Sequence, residues 1–268
     1  MKIRMKYTKT GVLKYIGHLD MMRYFQKLLR RSGMDIGFTQ GFSPHPEISI
    51  ALPLGIGVTS EAEYLDVTFN SCGHSKDMIA MLNENQVEGV RILSFKQVPD
   101  GRRNNCMAIV SAARYQIFLS EELKAAFTSQ GISIGEKLSD MMAKPELTIK
   151  KKTKRSEQET DIRPLVYDAS LIGDVVLNPA SSIGNDSFSP VSPLEDVAVN
   201  PASTSGECIQ LLLAAGSTNS LNPDTFMRAF TDYCGIDLGE IPWHIHRTEI
   251  YTGDKGSFVP LDSLGEDV

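Results

Sequence analysis

Two histidines stand where acid–base chemistry could be done. His18 lies in Gly17-His18-Leu19-Asp20 at the start of a helical pattern, and His45 lies in Phe38-Thr39-Gln40-Gly41-Phe42-Ser43-Pro44-His45-Pro46. An imidazole titrates near neutrality, so either ring can act as general acid or base. His18 is equally well placed to cap the first turn of its helix. Strand–helix–strand geometry can bring residues before a helix near the loop after the next strand. A pocket containing His18, Gln40 and His45 is the arrangement that would make the pair catalytic. The loop around His45 holds one glycine, two prolines and two aromatics in nine residues. Proline fixes φ and withholds a donor, glycine opens left-handed angles, and Ser43 and His45, each before a proline, are pushed to extended geometry. The expectation is a stiff loop presenting Gln40, Gly41, Phe42, Ser43 and His45 to a ligand.

A second group suits phosphate. Lys150, Lys151, Lys152, Lys154 and Arg155 place five cations in six residues, and Arg163 follows in Asp161-Ile162-Arg163-Pro164. Such a field positions a nucleic acid without reading its sequence. Arg30 and Arg31, at the end of the first helix, could extend it, and Phe38 and Phe42 could stack bases. The competing account is an edge strand that lysines protect from unwanted pairing. A third stretch, Trp243-His244-Ile245-His246-Arg247-Thr248-Glu249, alternates as a strand with both histidines on one face. Histidines at i and i+2 can chelate a metal, but no third ligand is evident, and an edge strand or an interaction tail anchored by Trp243 is the simpler reading.

Absences narrow the chemistry. There is no Walker loop, no G-x-G-x-x-G and no G-x-S-x-G. Cys72, Cys106, Cys208 and Cys234 are far apart, which argues against a disulfide framework, a local zinc site or an iron–sulfur cluster. No cofactor and no metal are expected. The 268 residues are 41% hydrophobic and 22% charged, ordinary for a globular protein. No apolar run approaches the ~20 residues that span a bilayer, and the first residues alternate as a strand, so a cytoplasmic protein is expected. Net charge is −6, yet residues 1–50 carry nine basic and three acidic residues, while 195–268 carry three basic and twelve acidic. That asymmetry suggests a localised anionic partner.

The elements that must position these residues follow from periodicity. Lys2–Thr8 alternates as a strand, and Met22, Phe25, Leu28 and Leu29 form a helical stripe closed by Gly33. Short strands are expected at 35–39 and 48–54, a strand at 64–69, a helix around 78–82 and a strand at 90–98. This is β-α-β-β-α-β with an additional strand. The second half repeats the order: a strand at 113–119, a helix opened by Ser120, a helix at 134–142, paired strands at 147–152 and 162–167, an apolar stretch at 171–177, a strand at 209–213, and a helix at 223–233 capped by Asn222. Residues 178–206, rich in Ser, Pro, Asn and Ala, read as a flexible insertion. The expected fold is α+β: two tandem ferredoxin-like units with antiparallel sheets over 1–100 and 101–239, and a C-terminal tail over 240–268.

Several of these segments occur together in one order: Lys9-Thr10-Gly11, Gly17-His18-Leu19-Asp20, Arg30-Arg31-Ser32-Gly33, Gln40 to Pro46, Ala51-Leu52-Pro53-Leu54-Gly55 and Glu63-Tyr64-Leu65-Asp66. With Lys152-Thr153-Lys154-Arg155 and Asp161-Ile162-Arg163-Pro164, the string closely resembles the bacterial radical SAM-linked (radical SAM-associated) proteins, a family of uncharacterised function. The resemblance is strong over 1–70 and weaker over 105–215, and the insertion at 178–206 departs from it. It implies a link to a B12-binding-type radical SAM protein as neighbour or fused domain, and genes for ribonuclease E/G and ribosomal proteins nearby. A looser, fold-level similarity is to ferredoxin-like RNA-processing proteins of CRISPR systems. The leading expectation is a non-catalytic accessory protein that presents tRNA or ribosomal RNA to the radical SAM partner. The alternatives are a metal-independent RNA-processing or RNA-modifying enzyme using His18 or His45, and a protein-interaction module.

Overall fold

The computed structural model describes residues 1–152, 157–176, 205–217, 219–237 and 242–268. In chain order, β1 (Lys2–Lys9) leads through a 3₁₀ turn (Gly11–Tyr15) into α1 (His18–Arg31). Then come β2 (Ile48–Ala51), β3 (Thr59–Thr68), α2 (Ser75–Glu84) and β4 (Ile92–Val98). The second half runs β5 (Ala112–Leu119), α3 (Glu121–Ser129), α4 (Ile134–Met142), β6 (Thr148–Lys152), β7 (Glu157–Asp161), β8 (Val166–Val176), β9 (Ser205–Ala214), α5 (Pro223–Tyr233) and β10 (Trp243–Thr252). Two short strands close the order, β11 (Val259–Pro260) and β12 (Glu266–Asp267). One mixed, mostly antiparallel sheet is ordered β12-β4-β1-β3-β10-β5-β9-β8, with β2 also on β3 and β11 on β10.

Helices form where the apolar stripe predicts them. α1 buries Met21, Phe25, Leu28 and Leu29, places Asp20 in its first turn and Arg30 and Arg31 in its last, and so agrees with its own dipole. Full burial of each such side chain contributes about 1.5–3 kcal/mol. Ser120 and Asn222 cap α3 and α5 by accepting from the backbone amides of Leu123 and Asp224. One core lies between α1, α2 and β1, β3 and β4; the other lies between α3, α4, α5 and β5, β8, β9 and β10. Along β3, Ala62 and Tyr64 join the second core while Leu65 and Val67 join the first, so both faces of this strand are buried.

Several expectations need correction. Residues 35–39 form no strand; Ile36 and Phe38 make isolated bridges to Phe69 and Pro46, because Gly37 and the prolines end any longer ladder. The partner of β6 is β7, not 162–167, which contributes a 3₁₀ turn and the start of β8. Glu157–Asp161 carries no apolar signal; its strand register instead sets Glu159 opposite Lys150 and Glu157 opposite Lys152. The insertion expected at 178–206 lies outside the described residues except for Ser205 and Gly206, which begin β9.

The largest correction concerns the C-terminal stretch. Trp243–Thr252 is neither an edge strand nor a tail: β10 lies inside the sheet, antiparallel to β5 and parallel to β3. The chain then folds back over the first half, where β12 pairs with β4. Arg4 fastens this return. Its guanidinium donates to both carboxylate oxygens of buried Asp66 and to the carbonyls of Leu261 and Asn104. Tyr64 donates to Glu249 at 2.7 Å and lies 3.1 Å from Asp262, burial pushing its phenol well above the ordinary range, and Lys6 pairs with Glu249 at 2.6 Å. Trp243 is likewise committed inward, its indole N–H donating to Asp224. No helix among the described residues is long and apolar enough to cross a membrane.

Candidate functional site

The loop from Phe38 to Pro46 is a closed clasp. The Phe38–Pro46 bridge draws its ends together, and the Thr39 amide donates to the His45 carbonyl at 2.9 Å. The Thr39 hydroxyl accepts from the His45 amide and meets His45 Nδ1, each at 3.1 Å. His45 therefore helps to shape the loop. Gly41 takes φ 123°, a value that side chains rarely adopt, and throws Phe42 to the tip, where its ring is fully exposed. Gln40, Gly41, Ser43 and His45 are exposed around it.

The structure does not bring His18 and His45 together. His45 lines a cavity of about 450 Å³ with Lys2, Thr39, Glu47, Asp66 and Asp100; neither His18 nor Gln40 lines it. His18 begins α1 beyond the other end of β1, where Lys9 Nζ donates to the Ile16 carbonyl. At ~3.3 Å per residue, the ends of this eight-residue strand lie roughly 25 Å apart. His18 does not cap the helix either: Gly17 holds the cap position, with no side-chain bond. The shared His18/His45 pocket of the enzyme reading is thus absent from the described residues.

The cations are also divided. Arg30 and Arg31 end α1 near the loop, and Arg31 donates to the Asn85 carbonyl. Lys150 is exposed on the β6–β7 hairpin, whose flanking Leu147 and Ile162 belong to the second core, whereas α1 belongs to the first. Lys151 and Lys152 continue β6, Arg163 donates to the Val166 carbonyl, and Lys154 and Arg155 lie outside the described residues. Arg30 and Arg31 thus stand on a helix of the first core, and Lys150 and Arg163 on elements beside the second.

A different cluster assembles at the seam of the two halves. β3 pairs with β10 only at Thr59–His246 and Ser60–Arg247, then with β2 from Tyr64 onward. Where β3 changes partner, the backbones part and side chains fill the opening. The inner layer is an ion pair between Arg247 and Glu63, 2% and 1% exposed. Arg247 Nη2 also donates to the carbonyl of Leu52, whose φ of 41° makes it the one non-glycine residue with positive φ among those described. Tyr7 and Tyr115 pack here, burial raising both phenols, and burial lowers the ammonium of Lys9.

The outer layer is a hydrogen-bonded chain. Thr59 Oγ1 lies 2.9 Å from His244 Nε2 and 2.8 Å from His246 Nδ1. His246 Nε2 lies 3.5 Å from Glu61 Oε1, an electrostatic contact too long for a good hydrogen bond, and this buried nitrogen has no hydrogen-bond partner. The contact with His246 holds the Glu61 carboxyl below its ordinary range. His244 is pushed down to about 4, first by burial and then by the nearby Lys14 and His246. Such perturbed, coupled groups mark functional sites more often than other surfaces. Among the described residues no group of three or more His, Cys, Asp or Glu is arranged to hold a metal ion.

Sequence reading found His244 and His246 but not their partners. Thr59 and Glu61 share the i, i+2 spacing on β3, yet only the β3–β10 pairing, 187 residues apart in sequence, identifies them as partners.

The chain belongs to the family described as an uncharacterized protein conserved in bacteria (DUF2344), whose model matches residues 2–223. That span includes the loop, Lys14, Thr59 and Glu61, and stops before β10. No curated protein matches the chain.

Proposed function

We propose that this family member is an RNA-binding accessory protein, built as two ferredoxin-like units, that presents tRNA or ribosomal RNA to a radical SAM protein of the B12-binding type. Its part in the radical chemistry is non-catalytic; the cluster and cobalamin chemistry belong to the partner, whose identity rests on the sequence resemblance. The strand orders β4-β1-β3-β2 and β10-β5-β9-β8 both follow the 4-1-3-2 pattern of a β-α-β-β-α-β unit, which supports the reading of the fold.

The observation that carries the RNA reading is Phe42. A phenyl ring held in water at the tip of a stapled loop gains nothing for the fold, whereas stacking a nucleobase on it is worth about 1–3 kcal/mol. Arg30 and Arg31, at the end of the neighbouring helix, are suited to the adjoining phosphates. The carboxylates of Glu47 and Asp100 in the cavity behind the loop disfavour phosphate there, so the strand would run across the loop's outer surface.

Filter binding of tRNA and ribosomal RNA at several salt concentrations tests this. Phe42→Ala should weaken binding about 5- to 100-fold at every salt concentration. Arg30→Ala/Arg31→Ala should weaken it and flatten the salt slope by up to about two. RNA affinity that is absent, or indifferent to all three changes, overturns the RNA reading. Failure of the radical SAM protein to copurify overturns the choice of partner alone.

A further inference from the structure

The outer seam has a direction. Glu61 is a carboxylate and can only accept, so the His246 Nε2 that faces it is the protonated nitrogen; a lone pair there would be repelled. In a neutral ring, His246 Nδ1 then accepts from the Thr59 hydroxyl. The one proton of Thr59 is spent, and its oxygen accepts from His244 Nε2–H. His244 Nδ1 is left with a lone pair. It makes no hydrogen bond to the described residues, and the side chain that carries it is only half-buried. Every donor in the chain points toward Glu61, which makes the open nitrogen more basic than an isolated imidazole in the same surroundings.

The groups around that nitrogen suit an anionic, flat ligand. Lys14 approaches from the 3₁₀ turn, its ammonium 5.2 Å from the exposed ring of Tyr15. The Gly57 amide donates to the Lys14 carbonyl, which places exposed Ile56 alongside. On β5, Phe118 flanks His244 with ring centres 6.5 Å apart, and Gln116 stands opposite His246. The charged and titratable groups facing His244 are thus Lys14, His246 and, through the chain, Glu61.

We propose that His244 is a general base that takes the 2′-hydroxyl proton of an RNA strand whose phosphate lies against Lys14. This goes beyond presentation of RNA and rests on the reading that RNA binds. The proton passes from O2′ to Nδ1 of His244 as the O2′–P bond forms and the P–O5′ bond breaks. The departing O5′ takes a proton from water. The products are a 2′,3′-cyclic phosphate and a 5′-hydroxyl, with no oxidant, reductant or metal in the balance. Lys14 stabilises charge on the phosphoryl oxygens, while Thr59, His246 and Glu61 position the base and share the charge it acquires. A base lowered to about 4 is already neutral at pH 7, and a bound phosphate offsets the repulsion from Lys14. The acid limb of kcat/KM should therefore fall near 4, and that of kcat at higher pH.

The test uses the whole chain and an end-labelled oligoribonucleotide of mixed sequence in EDTA, with binding measured in parallel. Cleavage to cyclic-phosphate ends is expected. It should fall 10²- to 10⁴-fold in His244→Gln, fall less in Thr59→Val with the acid limb displaced, and vanish when the cleaved nucleotide is 2′-deoxy. If His244→Gln does not fold, Lys14→Ala on the surface turn and the deoxy substrate carry the test. RNA that binds but is not cut, or is cut equally by His244→Gln, overturns the inference and leaves the RNA reading standing. Absence of binding overturns both.

Discussion

Replacing Arg247 with methionine should remove a large part of the protein's stability. The guanidinium is 2% exposed; its Nε donates to Glu63 Oε1 at 3.0 Å, and its Nη2 to the same oxygen and to the Leu52 carbonyl at 2.8 Å. Methionine fills much of the volume but leaves Glu63, 1% exposed, as an uncompensated buried carboxylate. Breaking a buried pair from one side costs about 3–5 kcal/mol, against a total stability of about 5–15 kcal/mol for a typical domain. Leu52 loses the donor that holds its carbonyl in a left-handed conformation, which adds to the loss.

The companion change decides whether the charge is the cause. Arg247→Met/Glu63→Leu removes the stranded carboxylate, and buried pairs exchanged for apolar residues of similar volume are often neutral or better. The double variant should recover most of the loss, giving a coupling energy of about 2–4 kcal/mol in a urea double-mutant cycle. A single substitution costing under about 1 kcal/mol, or two losses that simply add, would refute the view that this pair closes the seam.

Three further outcomes are expected. The folded-state value of His244 lies below its unfolded value of about 6.5, so the unfolded chain takes the proton first; the neutral ring's contribution is complete above 6.5 and is lost as pH falls toward 4. After allowance for partial exposure of the ring this is about 1–3 kcal/mol, and urea titrations of His244→Gln should show a flatter pH dependence between 4 and 6.5. Gly89→Ala should lower Tm by several degrees, because Gly89 has φ +91° and an added Cβ would lie 2.6 Å from the Thr10 carbonyl oxygen. Thr39→Val removes the hydroxyl that clasps His45; RNA binding should weaken severalfold with Tm nearly unchanged, and unaltered binding would show that the clasp does not matter for recognition.

Local rules read much of the fold because they act within one element. The stripe Phe25, Leu28, Leu29 specifies which face of α1 is buried, and Ser120 and Asn222 announce helix starts that the caps then realise. They misplace β7, since Glu157–Asp161 is held by its backbone ladder with β6 and not by an apolar pattern. They also misplace β10. Its alternation is that of a half-exposed strand, but its polar face is sheltered by residues of β3 that no local window includes. Of the candidate residues, the loop was legible because glycine and proline write backbone geometry into sequence. The His18/His45 pocket was not a sound inference, because helix–strand order alone does not say which end of the sheet a loop occupies.

The seam sets a harder question: why polar groups are buried where apolar ones would join two sheets more cheaply. Its two layers answer differently. The inner one is closed, with Arg247, Glu63 and the Leu52 carbonyl all engaged, as a junction that must assemble in one register requires. The outer one is left open: His246 Nε2 stands 3.5 Å from Glu61 with no hydrogen-bond partner, and His244 Nδ1 makes no bond to the described residues. A network kept for stability alone gains from having its last bonds made, and buried groups left short are the exception. If the outer layer serves only as mortar, Thr59→Val should cost at least the ~1 kcal/mol of a lost hydrogen bond and alter nothing else. If it is a relay, the same substitution should change the proton affinity of His244 two bonds away, which the C2-proton titration of that ring measures directly.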